Sequence, residues 1–207
     1  MTTAYQWIFD NASSISINKR ATVAQTVTRD GTVRRASRGA KIWRFSIEPA
    51  PCQWETARPY ITAIEQLDRI QSAQVQINNP GYNSWLTKYQ GDCSTTSGFV
   101  ATWDTGNQLT LNYPGGHGLV NGERALAQGD FIQLGPDSVY EVVEDVPYPS
   151  TQVTVNRPIM ELAGTDSIKI GPEVTWSVVC TQFPEWTISD RNLVTWRGNF
   201  EFYEDLA

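Results

Sequence analysis

The chain has 207 residues, a formal net charge of −6, 40% hydrophobic residues and 18% charged ones. That length allows one large domain or two small ones, and eight Trp, eight Tyr and seven Phe supply enough apolar surface to argue against disorder. The negative charge argues against general nucleic-acid binding, no run of about 18 apolar residues predicts a membrane span, and the opening MTTAYQWIFDNASS lacks the basic and apolar regions of a secretory signal.

Cys52, Cys93 and Cys180 are odd in number and far apart. They read as small buried thiols in a reducing compartment, not as a zinc or redox motif. His117 is the single histidine, which argues against a His-based metal site and against Ser-His-Asp chemistry. No metal and no cofactor is expected.

In chain order, Ser14 to Ile47 reads as two long strands joined at Asp30-Gly31. An Asp-Gly pair between extended runs suits a turn whose central residues need positive φ. The returning strand strengthens toward Ile42-Trp43-Arg44-Phe45-Ser46-Ile47, where Trp43, Phe45 and Ile47 alternate onto one core face. The tip, from about Thr22 to Ala40, has few large apolar residues and reads as an arm that leaves the domain.

After Pro49-Ala50-Pro51, Thr56 is placed to cap a helix with Pro59 in its first turn. Tyr60, Ile61, Ile64, Leu67 and Ile70 form one apolar stripe, and the helix is expected to end near Gln71, before a short strand 73–77. Asn78 to Asn83 is a turn-rich link. Short strands follow at 108–113, 130–134, 139–146, 152–155 and 167–170, separated by Gly and Pro turns, as in a small barrel or sandwich. Longer strands close the chain at 173–180, 187–188 and 192–204, rich in Trp and Phe.

These elements predict a mostly β protein. Residues 1–80 and 173–207 form a discontinuous first domain whose sheet system holds both the N-terminal hairpin and the C-terminal strands, with the helix packed on it through Ile61, Ile64 and Leu67. Residues 81–172 form an inserted small β module, expected to fold alone and to be dispensable for assembly of the first domain.

Glu123, Asp130, Glu141, Glu144, Asp145 and Glu161 are the carboxylates to weigh as a glycosidase pair, but no catalytic motif accompanies them. Gly115-Gly116-His117-Gly118 lacks the Lys-Ser/Thr of a phosphate loop and reads as a loop needing positive φ, with His117 exposed. The basic arm is the most informative feature. Half of the 16 basic residues lie between Asn18 and Arg44, against Asp30 alone, and the rest of the chain is strongly acidic. A two-stranded ribbon without a core is marginal by itself, so Arg29, Arg34, Arg35 and Arg38 are expected at an intersubunit contact.

The order of elements — basic hairpin arm into Ile42–Ile47, Pro-linked helix 56–70, inserted β module with Gly129–Leu134 and Val139–Val142, terminal aromatic strand Trp196–Glu204 — resembles the distal tail proteins of long-tailed bacteriophages. The resemblance implies a tail-tube-like sandwich and a virion protein, assembled in the bacterial cytoplasm. Such a protein forms a hexameric ring with copies of itself, joining the tail tube protein to the hub or baseplate proteins. No membrane partner, no specific nucleic acid and no catalysis is implied. Another tube or baseplate component shares that fold and habit, and a cell-wall glycan-degrading enzyme is the alternative of a different class.

Overall fold

The computed structural model describes residues 3–20, 23–27, 33–37, 41–66, 71–78, 85–189 and 191–206, the segments 23–27 and 33–37 by their backbone alone. The protein is mostly β, its sheets are antiparallel, and among the described residues it carries two α-helices where the sequence predicts one. The additional helix, α1 (Ala4–Asp10), is too short to show a helical period. Thr3 caps it by accepting the Gln6 N–H, and at its far end the Asn11 backbone and side chain both donate to the Trp7 carbonyl. Its Tyr5, Trp7, Ile8 and Phe9 are buried.

β1 (Ala12–Arg20), β2 (Val23–Val27), β3 (Val33–Ser37) and β4 (Ile42–Pro49) make the long hairpin. β1 pairs with β4 from Ala12↔Pro49 to Arg20↔Ile42, and β2 with β3 from Val23↔Ser37 to Val27↔Val33. The predicted Asp30-Gly31 turn lies outside the described residues.

After β5 (Cys52–Gln53), α2 (Trp54–Gln66) begins before the predicted Thr56 cap, and Pro59 lies inside it instead of in its first turn. Tertiary partners account for the earlier start. The Trp54 N–H donates to the Asn192 carbonyl at 2.8 Å, and the Trp54 ring stacks on Trp186 at 5.2 Å. Ala57, Ile61 and Ile64 are buried, while Tyr60 stacks on Trp7 of α1 at 4.7 Å. Leu67 and Ile70 of the predicted stripe lie outside the described residues. β6 (Ala73–Gln76) follows.

The middle of the chain holds β7 (Val100–Trp103), β8 (Gln108–Asn112), β9 (Arg124–Leu126), β10 (Phe131–Leu134), β11 (Ser138–Glu141), β12 (Val146–Pro147), β13 (Gln152–Thr154), β14 (Gly164–Ser167) and β15 (Lys169–Ile170). β7 and β9 are absent from the sequence reading, and the predicted strands 139–146 and 167–170 are each divided. The last stretch gives β16 (Thr175–Gln182), β17 (Glu185–Ile188), β18 (Leu193–Arg197) and β19 (Phe200–Glu204). The predicted strand 192–204 breaks at Gly198, whose φ of +105° suits glycine. β18 then joins β17 and β5, while β19 enters the main sheet.

That sheet has the order β1-β4-β19-β16-β6, so its central strands come from opposite ends of the chain. Trp43, Phe45 and Ile47 of β4, Phe200 and Phe202 of β19, and Trp176 and Val178 of β16 are buried on one side. They pack with α1 and α2 in a first core, where Phe9 meets both Phe45 and Phe202. A second core lies among β7 to β15 and contains Phe99, Leu111, Ile132, Leu134, Tyr140 and Val153. The hairpin of β10 and β11 is a wall shared by both. Phe131 and Val139 belong to the first core, whereas their neighbours Ile132 and Tyr140 belong to the second. Alternating side chains therefore find an interior on either face, which is why all four residues of β10 are buried.

Candidate assembly surfaces

Among the described residues, β2 and β3 pair only with each other. Arg34 stands opposite Thr26 and Arg35 opposite Gln25 in that ribbon. Arg29 and Arg38, also expected at the contact, lie outside the described residues. The root of the arm is built in more detail.

Lys19, at the end of β1, forms an ion pair with Glu141 of β11 and lies over the Trp43 ring at 5.4 Å. Its burial, and the nearby Lys41, lower its pKa from the ordinary lysine value. Lys41 Nζ, on the other rail, donates to the Asn156 carbonyl at 3.2 Å. Beneath them Arg157 and Glu204 form a bidentate pair at 2.6 Å with both side chains fully buried. Arg157 also donates to the Lys41 carbonyl at 2.6 Å and the Val139 carbonyl at 2.9 Å, and it faces the Tyr140 ring at 5.0 Å. Glu204 accepts the Trp43 backbone N–H at 3.2 Å, and the Trp43 indole donates to the Val139 carbonyl at 2.8 Å. Sequence reasoning missed this cluster. Arg157 is a lone cation among turn residues, and no pattern in the chain links it to a carboxylate 47 positions on.

Among the carboxylates weighed for catalysis, Asp130 and Asp145 are neighbours at residues 127–128, while Glu123, Glu141 and Glu144 have separate partners. Glu123 accepts the Val120 N–H, Asp145 the Gln128 N–H, and Glu144 the Thr154 hydroxyl, so each fastens its own loop. Glu141 is held by Lys19. Glu161 lines a cavity of about 180 Å³ with Pro136, Asp137, Ser138, Met160 and Leu206. That cavity sets two carboxylates beside apolar carbons, a surface that suits the charged head and methylene stem of an arginine.

Asp130 is buried and holds a tight turn, accepting N–H groups from Gln90 at 2.9 Å and Ala127 at 2.8 Å. Burial raises its pKa above the ordinary Asp value, the two N–H donors and Arg124 oppose the rise, and Asp145 adds to it. An unfolded Asp titrates near about 3.9, so the stability linked to the raised native value is fully present below that pH. It is lost as pH rises through the native value. Asp130→Asn does not titrate there and turns one acceptor into a donor. Its penalty relative to wild type should therefore be largest in acid and shrink with rising pH. Urea unfolding across a pH series measures this, and a pH-independent penalty would refute the assignment.

His117, expected in the open, is half-buried between the Tyr113 and Tyr148 rings at 5.6 and 4.9 Å. Its Nδ1 accepts the Leu119 N–H at 3.0 Å. The flanking Gly116 and Gly118 do adopt positive φ, +78° and +77°. Among the described residues Cys52, Cys93 and Cys180 form no disulfide; Cys180 is buried as expected, whereas Cys52 and Cys93 are only half-buried. Among the described residues no group of three His, Cys, Asp or Glu side chains is placed to hold a metal ion, and no helix is long and apolar enough to cross a membrane.

In comparison with known proteins, the chain matches no family model and no curated sequence at a significant level.

Proposed function

We propose that this chain is a structural virion protein similar to the distal tail proteins of long-tailed bacteriophages. Six copies form a ring that joins the tail tube to the hub or baseplate. The observation that carries this reading is the arm. Its ribbon pairs only with itself among the described residues, and it concentrates basic residues on an otherwise acidic chain. Such a ribbon gains order by laying its guanidinium forks against carboxylates of a neighbouring copy. The Asp137 and Glu161 cavity offers one such surface.

The proposed contact joins opposite charges at a subunit surface, where attraction is screened over about 8 Å at physiological salt, so assembly should weaken as salt rises. Sedimentation of wild type and of Arg34→Glu/Arg35→Glu across a salt series tests the reading, with circular dichroism as the folding control. The variant is expected to fold normally and to lose ring formation at salt concentrations where wild type assembles. A variant that assembles like wild type would place the interface elsewhere. A wild-type monomer that degrades peptidoglycan would replace this reading with the enzymatic one.

A further inference from the structure

We propose that Arg157 is the pin of the arm: through it the inserted module fixes the direction in which the hairpin leaves the main sheet. The proposal takes from the assembly reading what the arm does, but the place of the pin stands on geometry alone.

One guanidinium reaches three parts of the fold. It donates to the Lys41 carbonyl immediately before β4, to the Val139 carbonyl of β11, and to both oxygens of Glu204 on β19. Glu204 extends the grip by two residues along the arm's returning rail, from Lys41 to the Trp43 N–H. The outgoing rail is held by the same module, through Lys19 and Glu141. Asn156, next to Arg157, links the two rails. Its carbonyl accepts from Lys41 Nζ, and its side-chain oxygen accepts the Glu141 N–H at 3.1 Å. Residues 139–141 and 156–157 thus hold the arm where it emerges.

A buried ion pair is seldom the most stable filling for such a space, since apolar side chains of similar volume often do as well or better. Apolar groups lack direction. A planar guanidinium fixes several acceptors at set angles, and that is what a lever root needs. The neighbouring Trp43, Val139 and Tyr140 already supply the apolar packing.

The test separates orientation from stability. Arg157→Met/Glu204→Leu removes both charges together and leaves neither unpaired. It is expected to fold and melt cooperatively, below the wild-type temperature by no more than the lost Trp43 and Lys41 backbone hydrogen bonds account for, while trypsin cuts the arm, between Lys19 and Arg44, about tenfold faster under native conditions. Its association in sedimentation should weaken by about tenfold as well. If the double variant fails to fold, Arg157→Lys carries the same readouts. A single ammonium pairs with Glu204 but does not span the Lys41 and Val139 carbonyls at once, so faster arm cleavage is expected there too. Cleavage at the wild-type rate in whichever variant folds overturns the proposal. If wild type itself never assembles, the ring reading falls, and the cleavage rates still decide the role of Arg157.

Discussion

Replacing Arg157 by Met alone, or Glu204 by Leu alone, is expected to destabilise the fold by about 3–5 kcal/mol, because either change leaves a charge buried without its partner. Neither side chain has solvent access to relax into. The Lys41 and Val139 carbonyls also lose donors when Arg157 goes, and the Trp43 N–H loses its acceptor when Glu204 goes. The sum of the two single effects should therefore exceed the effect of the double replacement by a wide margin. Urea unfolding of the three variants gives the coupling directly. Single variants within about 1 kcal/mol of wild type would mean that the pair is solvated in solution and the junction is loose.

Excising residues 81–172 and closing the gap with a Gly-Ser linker is expected to abolish folding of the remainder. This departs from the sequence-based expectation that the rest would still assemble. The reason is the wall shared by the two cores. The excision removes Phe131, which meets Trp43 at 5.5 Å and Trp176 at 5.6 Å, and Val139, whose carbonyl takes the Trp43 indole. It also strands Glu204 without Arg157 inside the sheet. Two large indoles would be bared and one buried carboxylate orphaned, and a domain of marginal stability does not withstand both. Circular dichroism and a thermal melt of the shortened chain check this. A cooperative transition near the wild-type temperature would show that the first core is self-sufficient.

The sequence was most legible where one face is buried and the other wet. Trp43, Phe45 and Ile47 alternate cleanly because the main sheet has a polar outer face, with Ser46 and Arg44 bonded to Glu201 there. The stripe of Ile61 and Ile64 was legible for the same reason, since α2 turns its opposite side to solvent. Legibility failed where burial is two-sided or the partner is remote. In β10 and β11 Phe131 and Ile132 are both interior, so alternation does not identify a single core face. β7 is a short run interrupted by Ala101 and acquires its identity from pairing with β8 and β14. α1 has seven residues and is fixed by rings from three other elements. The candidate site divides in the same way. The excess of basic residues is visible in the chain, whereas the fastening of the arm's root depends on bonds spanning up to 161 positions.

The order of strands in the main sheet also sets an order of events during synthesis. β4 pairs with β19, with Phe45 opposite Phe202, so that sheet cannot close until β19 has left the ribosome. The second core is drawn from a continuous stretch, Phe99 to Ile170, and its contacts are local enough to form first. During that interval β10 and β11 lack β16, whose Trp176 packs on Phe131 in the finished fold. The emerging chain thus carries a half-finished apolar wall, which docking of β16 and β19 later covers. A growing polypeptide in that state is the form most exposed to chaperones and to aggregation, and the C-terminal strand is what ends the exposure.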